Sequence, residues 1–303
     1  MFTSRWYRES SDLDRIKALL VAGRARFRLG GYRHLGDIDW ALWYGHYDAD
    51  RTRTIRLWED DSSKLAGYAM LMHRFFEFEV ASHLRGSPLE EAIVDCCEAH
   101  IASTMDVPPT DAGILSGTDA FASDAARVAM LGRRGYVPSI GYSMLARSLR
   151  ETIDEPRVPD GYVVRHVNGP EDAEQRAAAH FHAFSPGSKM TADAYRKFMT
   201  APGYRTNLDS VVVAPDGRIA AYSMAWIDEV NRVGEFEPVG TQPDFQRMGL
   251  GKAAMSRGLR ALRDYGMDDA IVSTNESNIG AMRLYEAVGF RRVDIHQNYE
   301  RRR

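Results

Sequence analysis

The run Gln246-Arg247-Met248-Gly249-Leu250-Gly251-Lys252 places two glycines, one residue apart, where an amphipathic helical stretch begins. The first amides of a helix have no intrahelical partner, and the helix dipole leaves that end partly positive. Glycines let a ligand reach those bare N–H groups. The turn is therefore a ready site for phosphate, with Gln246, Arg247 and Lys252 as side-chain donors. Upstream, Glu235 and Glu237 alternate onto one face of a strand. Either carboxylate can bind a cation or relay its proton, and either can equally serve as an edge charge or an ion-pair partner. Downstream, Asn278 and Tyr285 lie seven residues apart, two turns along nearly one helix face.

Two other phosphate-binding readings fail on spacing. Gly249 to Ala254 fits G-x-G-x-x-A, but a dinucleotide fold runs its strand almost directly into the first glycine and needs an acid after the next strand. Here a segment containing Pro243 intervenes, and only about fifty residues follow the turn. A Walker loop needs glycine five positions before Gly-Lys and then Ser or Thr; this chain has Gln246 and Ala253.

The elements that must hold these residues follow from apolar periodicity and turn chemistry. The pattern predicts strands at Tyr162–Val167, Ser210–Ala214, Ile219–Trp226, Val233–Gly240, Ala270–Thr274 and Arg292–Tyr299. It predicts helices at Glu171–Ala183, Ala192–Met199 (capped by Thr191), Gly249–Tyr265 and Ile279–Val288. Strands and helices mixed in this order give an α/β (α+β) mixed sheet flanked by helices. Pro243 cannot donate to a ladder and helps to end pairing after the glutamate-bearing strand.

Taken together, GEFEPVGTQPDFQRMGLGKAAM and NESNIGAMRLYEAVGF resemble the GNAT superfamily of acetyl-CoA-dependent N-acyltransferases. The resemblance implies acetyl-CoA as co-substrate, its pyrophosphate on Gln246, Arg247, Met248, Gly249, Leu250, Gly251 and Lys252. It implies a splayed strand edge at Val239, Gly240 and Thr241 for the pantetheine arm, with Asn278 bonding that arm. Tyr285 resembles the tyrosine that protonates the departing thiolate; a phenol near pKa 10 can share a proton with a thiol of about 8.5 to 10. A tyrosine that only fills the core is the alternative. Glu235 aligns with the base of the histone-acetylating branch, and Pro238 departs from that branch, so the base is Glu235 or Glu237. The activity implied is acetyl transfer to a primary amine by direct attack; a catalytically silent acyl-CoA-binding sensor is the other reading.

The chain reads as one plan used twice. Lys64–Tyr68 matches Arg218–Tyr222, and Arg134–Tyr136 matches Val288–Phe290, both at an offset of 154. The joint falls in the proline-containing Glu151–Gly161 segment, giving a GNAT-like domain at 1–152, a linker at 153–161 and a catalytic GNAT domain at 162–303. The first copy lacks the working parts. His83-Leu84-Arg85-Gly86-Ser87-Pro88-Leu89 stands for the glycine turn, Leu131 for Tyr285 and Asp124 for Asn278. One active site, in the second domain, is expected.

Composition bounds the rest. A net charge of −3 over 303 residues argues against a general grip on nucleic acid or anionic lipid. No apolar run is long enough to span a membrane, and Met1–Arg8 lacks a signal-peptide core. Cys96 and Cys97 are adjacent and suit neither a disulfide framework nor a metal site, so a cytoplasmic protein is expected. The nine histidines form no ligand set and no metal is expected. His180 and His182 read as partly exposed helix residues, and Trp40, Trp43 and Tyr44, at helical spacing in the N-terminal half of the sequence, as core or cleft wall. The acceptor is a small-molecule or peptide amine. The loops Ser185–Lys189, Ala201–Leu208 and Asp228–Arg232 would select it, Asp228 and Glu229 hinting at a cation. A monomer or homodimer is expected.

Overall fold

The computed structural model describes residues 1–27, 29, 31–45, 49–104 and 113–303. In chain order the first elements are β1 (Thr3–Trp6), α1 (Ser10–Phe27), α2 (Leu35–Trp40), α3 (Arg51–Thr54), β2 (Ile55–Glu59), β3 (Leu65–Met72) and β4 (Phe75–Val80). Then come α4 (Pro88–Thr104), β5 (Ile114–Phe121), α5 (Ala125–Arg133) and β6 (Tyr136–Ser148). The second half has β7 (Val163–His166), α6 (Ala173–Ala183), α7 (Ala192–Phe198), β8 (Asp209–Val213), β9 (Ile219–Asp228) and β10 (Val233–Thr241). It ends with α8 (Leu250–Asp264), β11 (Asp269–Asn275), α9 (Ile279–Ala287) and β12 (Arg291–Arg302). The elements expected from periodicity are present, with bounds moved by a residue or two at most ends.

The chain divides into two compact units, each with a mixed sheet and flanking helices. In the first, β1, β2, β3 and β4 pair antiparallel in sequence, and β4 runs parallel to β5. In the second, β7, β8, β9 and β10 pair antiparallel in sequence, and β10 runs parallel to β11. The same order of pairing, with one helix in each antiparallel-to-parallel crossover, is the structural form of the internal repeat. Each unit has its own core: Phe76, Phe78, Leu89, Ile93 and Leu131 in the first, Phe236, Met255, Leu259, Val272 and Phe290 in the second.

The units do not follow the expected cuts at 152 and 162. The first comprises Met1–Tyr32, Asp48–Met144 and Val293–Arg303; the second, Arg33–Tyr47 and Leu145–Arg292. Strand pairing accounts for one exchange, because Tyr299 opposite Thr118 and its neighbours put β12 against β5. Packing accounts for the other. Gly203 N–H donates to Asp39 Oδ2 at 2.9 Å, and Gly36 sits directly against the Trp226 ring. Trp40, Trp43 and Tyr44 consequently pack with Tyr195, Phe198 and Trp226 in the second unit, not in an N-terminal core. A hydrophobic match at close range outweighed sequence proximity.

His180 is also misplaced by periodicity alone. It is buried, its Nδ1 is 2.8 Å from Tyr222 Oη, and burial together with the positive charge of Arg176 pushes its pKa down to about 3. His182 stays exposed. Beneath them Arg176 and Asp209 form a buried pair at 3.0 Å that Tyr195 also joins.

A Cβ added at Gly36 would lie 2.3 Å from Trp226 Cγ, a clash with a buried ring. Gly36→Ala is therefore expected to destabilise the second unit by about 1–3 kcal/mol, read as a lower urea midpoint without a change in slope.

Candidate active site

Helix α8 follows Gly249 as its N-cap, whose φ of 78° belongs to the left-handed region, and no side chain caps the helix. Arg247, at φ 63°, is a non-glycine residue in the same region, a strained conformation of the kind that collects at ligand loops. The first amides of α8 thus have no side-chain acceptor, and space around Gly249 is open. Gly251 serves close packing instead: a Cβ there would lie 3.0 Å from Thr241 Oγ1 and 3.3 Å from a Leu284 methyl. Leu250 is buried, Gln246, Arg247 and Met248 are exposed, and Lys252 pairs with Asp154 at 3.0 Å. Asp154 also borders a cavity of about 250 Å³ beside α8, lined by Arg147, Ser256 and Glu286 among others.

The strand that carries the glutamates changes partners along its length. Its parallel register with β11 runs from Val233 to Phe236, while its antiparallel register with β9 resumes after a bulge at Val239, Gly240 and Thr241. Those three residues therefore have a ladder on one side, and the other side diverges from β11. Pairing continues one residue past them, Gln242 N–H donating to Ala220 O at 2.9 Å, before Pro243–Phe245 turns toward α8.

Glu235 and Glu237 sit at the divergence and are joined by Asp37 of α2. One carboxylate oxygen from each lies within 4.8 Å of the others. Glu235 is buried, at 4% exposure, whereas Asp37 and Glu237 are half-buried. Asp37 Oδ2 accepts the His34 N–H at 2.7 Å, and His34 Nδ1 accepts the Gly36 N–H, closing a capping box at the start of α2. Burial, then the charge of Glu235, pushes the Asp37 carboxyl up to about 6; Arg33 and His34 oppose the shift. Trp226 Nε1 donates to Glu237 O at 2.8 Å and fixes the backbone there.

Tyr285 of α9 is buried against Phe290, 6.2 Å between ring centres. Burial first, and the charge of Glu237 second, hold its phenol well above the ordinary range, so it keeps its proton at neutral pH. Asn278 Oδ1 caps α9 by accepting the Ala281 N–H at 3.1 Å. Asp228 and Glu229 are occupied locally, Asp228 by the Asn231 N–H at 3.0 Å and Glu229 by Arg205 at 2.8 Å. Sequence reading missed Asp37 and His34. The available signal was the spacing His34-x-x-Asp37, a cap and its N3 acid, but nothing local says which sheet that helix will meet.

In the first unit the equivalent positions are filled from within. Asp124 caps α5 as Asn278 caps α9, accepting Arg127 N–H at 3.1 Å, and Leu131 is buried where Tyr285 stands. The Gly86 N–H, at the start of α4, donates to Glu90 Oε2 at 3.1 Å, so a carboxylate of the same helix takes the anion's place. Glu90 in turn accepts from the buried Arg127, whose guanidinium lies 3.9 Å from the Phe78 ring centre.

Among the described residues no helix is long and apolar enough to cross a membrane. Residues 176–290 match the model of the acetyltransferase (GNAT) family. A mycothiol acetyltransferase from Salinispora tropica is 32% identical over 163 residues, covering 52% of this chain and 53% of that protein. Another, from Streptomyces coelicolor, is 32% identical over 142 residues, 46% of this chain and 45% of that one. The chain spans about half the length of the curated relatives it matches. Among solved structures, a GCN5-related N-acetyltransferase from Sphaerobacter thermophilus superposes with a TM-score of 0.69 at 20% identity, over 100% of this chain and 96% of that one. A tandem GNAT protein from the clavulanic acid biosynthesis pathway superposes with a TM-score of 0.71 at 13% identity, over 99% and 98%. At such identities the structures speak for the fold, which they share across both halves.

The raised Asp37 carboxyl has a consequence for stability. Its pKa is higher folded than unfolded, so the folded state binds the proton more tightly and loses stability as pH rises from 4 through about 6. Asp37→Asn keeps the cap and removes the charge. The variant is expected to melt higher than wild type at pH 8, by roughly 2–4 °C for each kcal/mol recovered, and to lose that advantage at pH 4. Calorimetric melting at the two pH values checks it.

Proposed function

From a chain whose residues 176–290 match the acetyltransferase (GNAT) family model, we propose an acyl-CoA-dependent acetyltransferase whose acceptor is a primary amine attacking the thioester directly. The uncapped start of α8, opening next to the divergence of β10 from β11, is the observation that carries this reading. The residues present suit the donor. Amides of Gly249, Leu250 and Gly251 meet pyrophosphate with the help of the dipole of a fifteen-residue helix. Gln246, Arg247 and Met248 border it, and Lys252 can exchange Asp154 for phosphate. Val239, Gly240 and Thr241 offer the edge for the pantetheine amides, and Asn278 is the residue that would bond that arm. Acetyl-CoA supplies the thioester carbon.

The chain's own groups do the rest. Glu235 or Glu237 takes a proton from the arriving ammonium, since only the free amine has a lone pair to attack with. Backbone N–H groups near Val239–Thr241 polarise the carbonyl. Tyr285, protonated at neutral pH, gives its proton to the departing thiolate. Relatives that are mycothiol acetyltransferases support acetyl as the group transferred and a small molecule as the acceptor. The self-occupied α4 start supports a single donor site per chain.

Calorimetry with acetyl-CoA is expected to give one site per chain. Gly251→Val is expected to abolish that binding, by driving a branched side chain into Thr241 and Leu284. Tyr285→Phe is expected to bind acetyl-CoA normally and to lose about 10²-fold in kcat, measured as thiol release with a panel of primary amines. Tight CoA binding with no thiol release for any amine would support a sensor in place of an enzyme.

A further inference from the structure

One stripe of helix α8, with Met255, Leu259 and Leu262, is buried in the core of the second unit. Beside it Arg257, Arg260, Ala261, Asp264 and Tyr265 recur at helical spacing and line a cavity of about 480 Å³. The rest of the wall comes from Val164 and His166 of β7, from Asn207, and from Glu155 and Pro156 ahead of β7. All of these residues belong to the second unit. None of them stands in the proposed donor turn or strand edge. Arg257 is eight positions beyond Gly249, roughly 12 Å further along the helix at 1.5 Å per residue.

The charges in this wall are unequally committed. Arg260 Nη1 pairs with Glu155 at 2.7 Å. The hydrogen bond of Arg257 goes instead to His166 Nδ1, 2.9 Å from its Nη2, and its Nε is buried with no partner. A guanidinium only donates, so Nδ1 is the acceptor, and a bond to a ring nitrogen leaves the positive charge of Arg257 without an opposite charge. Asp264 is exposed and lines the same cavity, which disfavours a ligand with more than one negative charge. Pro156, Val164, Ala261 and the Tyr265 ring supply apolar wall. The Asn207 amide holds that ring by donating to Tyr265 Oη at 2.5 Å. A cavity of this size, with apolar walls and a few placed polar groups, is the ordinary form of a small-molecule site.

We propose that this cavity binds a small monocarboxylate with a flat apolar body, at a site separate from the donor and acceptor of the acyl transfer. The carboxylate meets the Arg257 guanidinium, whose planar donors suit it better than a point charge would. The body lies against Pro156, Val164, Ala261 and Tyr265. A single uncommitted cation calls for a single negative charge, and Asp264 turns away a dianion such as a phosphate monoester.

Phenylacetate, its neutral analogue phenylacetamide and the dianion phenyl phosphate are titrated calorimetrically into wild type, Arg257→Gln and Arg257→Lys, with and without CoA. Phenylacetate is expected to bind wild type equally well in both conditions, and the amide and the phosphate on the order of tenfold more weakly. Arg257→Gln is expected to weaken phenylacetate by about tenfold or more, and Arg257→Lys by less, the melting temperature staying that of wild type. Crystals of wild type grown with 4-bromophenylacetate are expected to place the bromine anomalous peak beside Pro156 and Tyr265. That measurement needs no variant, so it decides the matter even where Arg257→Gln fails to fold. Phenylacetate that does not bind, that binds no better than its amide, or that is indifferent to Arg257→Gln overturns the proposal. Displacement of phenylacetate by CoA, or a bromine peak elsewhere, overturns the location, and tighter binding of phenyl phosphate overturns the ligand class.

Discussion

The departure of β10 from β11 after Phe236 is the constraint on which the second unit is organised. Up to that residue the two strands share a parallel ladder; beyond it β10 keeps only its antiparallel neighbour β9. Backbone groups cannot lose a ladder partner inside a protein without cost unless something else meets them. The bulge therefore defines a slot lined by main-chain donors and acceptors, with the bare start of α8 at one end and Glu235 and Glu237 at the turning point. Gly251 lets α8 close on the strand, its missing Cβ leaving room for Thr241 and Leu284.

The two units show what happens when the same frame is filled and when it is left open. In the first, the α4 start is met by Glu90, Glu90 by Arg127, and Arg127 by the faces of Phe78 and Tyr32. Each charge has a partner, and the result is a core. In the second, the corresponding helix start has no side-chain cap, and acids gather at the divergence, Glu235 Oε2 lying 3.2 Å from His34 Nδ1. A stable interior satisfies its charges from within, whereas a site leaves part of that work to a ligand. The raised Asp37 carboxyl reflects its burial first and the like charge of Glu235 second.

Much of this was legible in the residues. Glycine chemistry marked the α8 start, alternation placed Glu235 and Glu237 on one strand face, and helical spacing put Asn278 and Tyr285 in line. Matching segments at a fixed offset exposed the repeat, which reappears as the same order of strand pairing in each unit. These signals are local, set by backbone sterics and by periods of two and 3.6 residues, so they survive without tertiary information. They were weaker where a polar residue was judged by its neighbours in sequence. His180 reads as a surface residue on its helix, yet Arg176, Tyr222 and the rings of Trp40 and Tyr44 enclose it.

The sequence by itself determined the elements, their order, the repeat and the pieces of the proposed donor site, because each depends on contacts within a few residues or on one turn's geometry. Only the tertiary structure decided that α2 leaves its own half to dock on Trp226, that β12 pairs with β5, and that Asp37 and His34 meet Glu235. Those outcomes depend on complementary shapes and charges about two hundred residues apart, and a short capping motif carries no information about which surface will receive it.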